Sequence, residues 1–270
     1  LNPQYVIKKY TISDGLPNLY ITTLFIDKEG KLWFGTNGSG CGYYDGESFH
    51  SFTQHDGIPS NYIQKIFEDH KGRIWIATYE NGVAYYENER WHLFTTEKGF
   101  PGKFVWDIAE DNNNNMWFAI EKVGLCKYDG KKFKTISKNS GLCSNLIRSV
   151  YCDSKNRIWA GSDGWGISMI ENNKIKNYNN NHGLSHNRAI SINEWNGKIW
   201  VGTYGGGLCY FENDSFYKIN KLPVYDLISS INTTNDRQLL INTSGGGLQI
   251  LDEFNITTIN QKNGLSNDIL

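Results

Sequence analysis

The chain is predicted to be all-β, a β-propeller of four-stranded antiparallel blades with six complete repeats and a partial seventh. Three observations predict it. First, a short apolar run recurs: Leu32-Trp33-Phe34-Gly35-Thr36, Ile74-Trp75-Ile76-Ala77-Thr78, Met116-Trp117-Phe118-Ala119-Ile120, Ile158-Trp159-Ala160-Gly161-Ser162, Ile199-Trp200-Val201-Gly202-Thr203 and a decayed Leu239-Leu240-Ile241-Asn242-Thr243. Second, the spacing of that run is 42, 42, 42, 41 and 40 residues, the period of a propeller blade. Third, each period holds four short apolar runs separated by Gly, Asn and Asp turns, with none of the 3.6-residue periodicity of a helical solenoid. A leucine-rich solenoid would be shorter per repeat and would lack the four-strand count.

The Trp run is apolar at neighbouring positions, as in a strand buried on both faces. Two residues after the Trp stands Gly, Ala, Ala, Gly, Gly and finally Asn242. Residues two apart share a strand face. A large ring therefore lies beside a small gap, with room for a ring from a neighbouring sheet. Burying one indole contributes about 1.5–3 kcal/mol or more. The tryptophans are thus read as packing posts between sheets.

The second period shows the blade most clearly. Tyr62-Ile63-Gln64-Lys65-Ile66-Phe67 is strand A, and Glu68-Asp69-His70-Lys71-Gly72 turns into the Trp strand, B. Tyr79-Glu80-Asn81-Gly82 leads to strand C, Val83-Ala84-Tyr85-Tyr86, and Glu87-Asn88-Glu89-Arg90 to strand D, Trp91-His92-Leu93-Phe94.

In chain order, Ile7-Lys8-Lys9-Tyr10 aligns with Phe49-His50-Ser51-Phe52 and reads as an orphan strand D. The repeats then run at about 15–56, 57–98, 99–140, 141–182, 183–222 and 223–263, with a partial copy at 264–270 that stops inside its first strand. The run Asn112-Asn113-Asn114-Asn115 lacks the alternating acids and closing Glu of a calcium loop and reads as a solvated turn. An orphan D in front and an orphan A behind belong to one incomplete blade. The expectation is therefore a seven-bladed type, a single propeller domain over 1–270, and a fragment of a longer protein.

Composition sets limits on function. Lys plus Arg is 27 and Asp plus Glu is 28, so the net charge is 27 − 28 = −1. No basic stripe suits nucleic acid. No apolar run reaches the roughly 18 residues of a membrane helix, so no membrane insertion is expected here. The five cysteines (41, 126, 143, 152 and 209) lack metal spacing and read as small buried residues. No phosphate loop, nucleophile elbow or metal triad is present, and no cofactor is expected.

The repeats resemble the two-component regulator propeller family. The motif appears as Gly57-Ile58-Pro59-Ser60-Asn61, Asp69, Gly72, Trp75-Ile76-Ala77-Thr78 and Gly82-Val83, and again as Gly183-Leu184-Ser185-His186-Asn187, Trp200-Val201-Gly202-Thr203 and Gly206-Gly207-Leu208. The resemblance implies the periplasmic sensor part of a hybrid histidine kinase of Bacteroidetes, detecting glycan breakdown products and followed by further propeller, β-sandwich, membrane and kinase segments.

The candidate ligand face is the rim that carries the B–C turns and the D–A connections. Its first B–C residue is Asn37, Tyr79, Glu121, Asp163, Tyr204 and Ser244. The register opening strand A is Tyr20, Tyr62, Phe104, Leu146, Arg188 and Leu227. A constant frame with varied chemistry is what a ligand face on a rigid scaffold shows. Tyr20, Tyr62, Tyr79, Glu80, Phe104, Glu121, Asp163, Trp165, Arg188 and Tyr204 are the candidate contacts. Aromatic faces beside amide, carboxylate and guanidinium groups suit a sugar. The expected partners are an oligosaccharide or other small glycan-derived ligand, the remainder of the same receptor, and a second copy in a homodimer. Two other readings stand beside the sensor: a non-catalytic interaction scaffold, and a carbohydrate-active hydrolase or lyase. The enzyme reading would draw on Glu80, Glu121 and Asp163 as paired carboxylates, or on His186 with a rim glutamate.

Overall fold

In the computed structural model the described residues are 7–219, 225–234, 238–252 and 255–270. Among them, six four-stranded antiparallel sheets follow one another, each with its strands in the order A, B, C, D. Blade one is Ile21–Ile26, Leu32–Thr36, Cys41–Tyr44 and Phe49–Phe52. Blade two is Ile63–Glu68, Ile74–Thr78, Val83–Glu87 and Arg90–Phe94. Blade three is Val105–Glu110, Met116–Ile120, Gly124–Tyr128 and Phe133–Ile136. Blade four is Ile147–Cys152, Ile158–Ser162, Ile167–Glu171 and Lys174–Tyr178. Blade five is Ala189–Trp195, Lys198–Thr203, Gly207–Glu212 and Ser215–Lys218. Blade six is Ile228–Thr233, Leu239–Thr243, Leu248–Leu251 and Ile256–Ile259.

Six blades, and not seven with a partial seventh, correct the expectation drawn from the chain ends. Residues 7–10 form no strand, and 264–270 make only an isolated bridge, Ser244 with Ile269. The physical reason is the ladder. Strand A of every full blade pairs with its own strand B, whereas 264–270 meets blade six at scattered points, through Gly245 N–H to Asp268 O (2.9 Å) in the B–C turn, Leu270 N–H to Thr243 O (3.1 Å) at the end of strand B and Ser229 Oγ to Leu270 O (2.5 Å) on strand A. A segment without a ladder along its length does not persist as a strand.

The chain groups into two compact units. One holds Thr11–Ser162 and Ser168–Asn177; the other holds the residues up to Tyr10, Asp163–Ile167 and Tyr178–Leu270. In the first unit the A strands of blades one to four pack successively, and in the second those of blades five and six pack together. The core lies between neighbouring blades. Trp33 sits with Ile63 and Ile66 of the next blade, Trp75 with Val105, Ile108 and Phe118, and Trp117 with Ile147 and Val150. In the second unit Trp200 sits with Ile228 and Ile231. All five strand-B tryptophans are buried, as the packing-post reading expects.

At Gly35 and Gly202, two residues after Trp33 and Trp200, the occupant differs from the one expected. A Cβ on Gly35 would lie 2.6 Å from Ile63 Cγ2, and one on Gly202 would lie 2.6 Å from Ile228 Cγ2. The gap therefore receives the aliphatic residue that begins strand A of the next blade, not a ring.

A second device holds the indoles. In blades one to four an Asp six residues before the Trp accepts the indole N–H: Asp27 from Trp33 (2.7 Å), Asp69 from Trp75 (2.8 Å), Asp111 from Trp117 (2.9 Å) and Asp153 from Trp159 (2.8 Å). The other oxygen of each accepts two backbone N–H groups of the A–B turn, as Asp69 does from Lys71 (2.9 Å) and Arg73 (3.0 Å). Burial pushes the Asp69 carboxyl up, but the bonds from Trp75 and Arg73 outweigh it and hold it below the usual range. Asp111 is lowered by the same balance, with Asn113 and Asn115 beside Trp117. In blade five Trp195 stands where the Asp would be, and its backbone carbonyl accepts from Trp200 at 3.0 Å.

None of the five cysteines, all among the described residues, is in a disulfide. Burial raises Cys126 to about 12 and pushes Cys41 and Cys209 up as well. Since the thiolate is the reactive form, native protein at pH 8 should alkylate only at the half-buried Cys143 and Cys152. Mass mapping of iodoacetamide adducts checks this, and labelling of Cys41, Cys126 or Cys209 before unfolding contradicts it.

Candidate functional site

The rim is built by one repeated clamp. The hydroxyl that ends strand B donates to the carbonyl of the glycine that opens strand C: Thr36 to Gly40 (2.8 Å), Thr78 to Gly82 (2.8 Å), Thr203 to Gly207 (2.8 Å) and Thr243 to Gly247 (2.7 Å). The same glycine then donates its N–H to the D–A connection of the following blade, as Gly40 does to Asn61 O (2.9 Å) and Gly82 to Lys103 O (2.8 Å). At Gly82 φ is +79° and a Cβ would stand 2.3 Å from Phe94 O, so only glycine can close the turn there.

This clamp brings the two predicted rim registers side by side. The first B–C residue donates its N–H to the residue opening strand A of its own blade: Asn37 to Tyr20 (3.0 Å), Tyr79 to Tyr62 (3.0 Å), Glu121 to Phe104 (2.9 Å), Tyr204 to Arg188 (3.0 Å) and Ser244 to Leu227 (2.8 Å). Bridges then connect it to the opener of the next blade, Asn37 with Tyr62 and Tyr204 with Leu227. Backbone thus ties these rim positions to the next blade between blades one and two and between blades five and six.

Strand A adds a feature that the sequence reading missed. In every blade its ladder slips by one residue against strand B, leaving Thr22, Gln64, Trp106, Arg148, Ile190 and Ser229 as the extra residues. Such a bulge re-aims its side chain and recurs beside binding sites. The register varied as widely as the two rim registers, and that variation was the available signal.

In the first unit the bulge completes a cluster. Tyr79 stacks on Phe104 with centroids 4.8 Å apart and meets Trp106 edge-on at 5.8 Å. The Trp106 indole N–H donates to Glu121 Oε2 at 2.5 Å. The Arg148 guanidinium lies 3.7 Å over the Trp106 ring and 3.5 Å from the same Glu121 oxygen. Beside it, Lys65 pairs with Asp107 at 3.3 Å, and Asp107 also accepts Val150 N–H at 2.9 Å. Of the predicted contacts, Tyr79, Phe104 and Glu121 come together here, joined by the unpredicted Trp106 and Arg148. Tyr62 packs its ring over the Gly38 turn, where a Cβ would lie 3.5 Å from it. Glu80 accepts from Ser60 Oγ at 3.3 Å. Tyr20 is 76% exposed.

In the second unit Arg188 donates from Nε to Asp163 Oδ1 at 2.7 Å and covers the Tyr204 ring at 4.8 Å. Trp165 on the same turn is exposed. His186 accepts the Arg188 backbone N–H at Nδ1 (3.1 Å), and its ring lies against Gly205. Glu121 and Asp163 are therefore each engaged by an arginine, and His186 shapes its own turn. Among the described residues no group of three or more His, Cys, Asp or Glu is placed to hold a metal.

The architecture is that of a β-propeller built from four-stranded antiparallel blades. Four of the blades match the family model described as two component regulator propeller, at residues 15–38, 57–80, 99–122 and 141–164. These blades are two component regulator propeller repeats, as the motif resemblance implied, and each match ends on the first residues of the B–C rim. Among solved structures, the chain is similar to the extracellular domain assigned to the hybrid two component system BT4673 of B. thetaiotaomicron, at 22% identity and TM-score 0.76, over 93% of this chain and 34% of that one. It is also similar to the corresponding domain assigned to BT3049 of the same organism, at 25% identity and TM-score 0.52, over 97% and 36%. Virginiamycin B lyase of Staphylococcus aureus shares the fold at 14% identity and TM-score 0.69, over 89% and 84%. The chain spans about a third of the length of the two Bacteroides domains. No curated protein matches it. Among the described residues no helix is long and apolar enough to cross a membrane.

Proposed function

We propose that the chain is the ligand-sensing, non-catalytic propeller of an extracytoplasmic two-component receptor, that it lies in the periplasm, and that a glycan-derived oligosaccharide on the blade-three rim supplies the signal passed to a kinase elsewhere in the protein. The observation that carries this reading is the braced aromatic face. Tyr79 is 42% exposed yet held by Phe104 and Trp106, and Trp106 is fixed by Glu121 and Arg148. Rigid rings cover the C–H faces of a sugar at small entropic cost, and the flanking polar groups orient its hydroxyls. The extracellular assignment of the Bacteroides neighbours supports the compartment. Calorimetric titration against an oligosaccharide panel tests it. Tyr79→Ala should weaken binding by about tenfold, roughly the worth of one stacking ring. Unchanged affinity in a folded Tyr79→Ala rejects the rim.

A second reading, an interaction scaffold, is favoured by one observation. Leu24 on strand A of blade one is 62% exposed, whereas its equivalents Ile66, Ile108, Val150, Ile192 and Ile231 are at most 7% exposed. Ile26 beside it is exposed too. This face suits packing against the remainder of the receptor.

A further inference from the structure

The blade-three cluster sets a carboxylate beside a cation twice. Glu121 Oε2 receives both the Trp106 indole N–H and the Arg148 guanidinium, and that guanidinium lies flat on the indole. The Glu121 and Arg148 side chains are only 19% and 24% exposed. The second cation, Lys65, is countered by Asp107, whose other oxygen is held by the Val150 N–H. Glu121 stands against Arg148 and Asp107 against Lys65, and the aromatic rings carry no net charge.

We propose that this site selects uncharged sugars and rejects uronates and sulfated sugars, an inference that rests on the carbohydrate reading above and goes on to assign the charge class of its ligand. An anionic sugar seated on Tyr79 and Trp106 would approach Arg148 only alongside Glu121, and the repulsion from that carboxylate offsets the attraction of the guanidinium. Charged groups left imperfectly paired at an interface discriminate more strongly than missing apolar contact. A neutral hydroxyl meets no such penalty. It can accept from the guanidinium edge or donate to a carboxylate lone pair, because an ionised carboxylate offers about four acceptor sites. The bulges of blades three and four supply Trp106 and Arg148 to this arrangement. The same register holds Thr22, Gln64, Ile190 and Ser229 in the other four blades, none of which carries charge.

The experiment is calorimetric titration of wild type and Glu121→Gln with matched pairs: neutral oligomers of glucose, galactose and xylose, and their uronate and sulfated counterparts. Glutamine keeps an acceptor for the indole but leaves the cluster with one net positive charge. The expected result is that wild type binds a neutral oligomer at least about tenfold more tightly than its acidic counterpart, and that Glu121→Gln narrows this gap by about tenfold. Raising salt from 50 to 500 mM should leave the wild-type affinity for the neutral oligomer unchanged, since screening acts on charged pairs; this arm needs no variant. Wild type binding the acidic oligomer as tightly as the neutral one, a neutral affinity that falls steeply with salt, or a gap unchanged in a folded Glu121→Gln overturns the charge assignment and leaves the carbohydrate reading standing. Binding of no oligomer of either class overturns the carbohydrate reading itself, and this assignment with it.

Discussion

Replacing Trp75 by alanine should cost about 3–5 kcal/mol of stability, the range of a fully buried large aromatic. Trp75 has no accessible surface and serves two sheets at once. It stacks on Phe94 of its own blade at 5.8 Å and 7°, and meets Phe118 of the next blade at 5.7 Å. Its N–H is the partner of a buried carboxylate, so truncation both opens a cavity and strands Asp69. The chain contains its own control. In blade six the same register is Leu240, which is half-buried and carries no polar tether. Leu240→Ala should cost about 1 kcal/mol, since only part of its surface is removed from water. Urea midpoints of the two variants decide the matter. A Trp75→Ala loss no larger than that of Leu240→Ala would mean that the indoles fill space without joining the blades.

The architecture was legible because the features that define a blade are local in sequence. The Trp strand, the Asp six residues earlier and the glycine that closes the B–C turn recur at one period, and each does in the structure what its chemistry predicts. What was hidden depends on relations between strands. Trp106 and Arg148 belong to the site because strand A bulges at their register. A bulge is a mismatch of two strands, and on strand A alone only the varied chemistry of that register marks it. The space beside each indole was legible as a gap but not as to its occupant, since Ile63 and Ile228 lie on another blade. Residues 264–270 repeat the letters of strand A, yet letters do not supply the partner strand that makes a ladder. Of the rim, the two registers that meet there were legible. The grouping of Tyr79, Phe104 and Glu121 was not, because it is set by which side chain the bulge turns toward them.

Asp69→Asn should cost about 3 kcal/mol although it preserves shape, because breaking a buried charged pair from one side leaves its partners without an acceptor. Asp69 Oδ1 accepts Lys71 and Arg73 N–H at 2.9 and 3.0 Å, and Oδ2 accepts Arg73 Nε at 2.6 Å and the Trp75 indole at 2.8 Å. An amide has one oxygen, so whichever way it turns, its NH2 faces two donors. The same site sets a pH dependence. Desolvation opposes ionisation of Asp69 and Asp111, but their hydrogen bonds overcome it and lower both carboxyls in the folded state. A lowered folded value contributes stability that is present above the unfolded value, about 3.9, and is lost as pH falls through the folded value. Wild type should therefore hold its melting temperature down to about pH 4 and lose it steeply below. Asp69→Asn should start lower at pH 7 and converge on wild type as pH falls toward 2, because acid removes from wild type the charge that the variant already lacks. Parallel melting curves for the two proteins across this range would show that the carboxylate is not what holds the indole and its turn together.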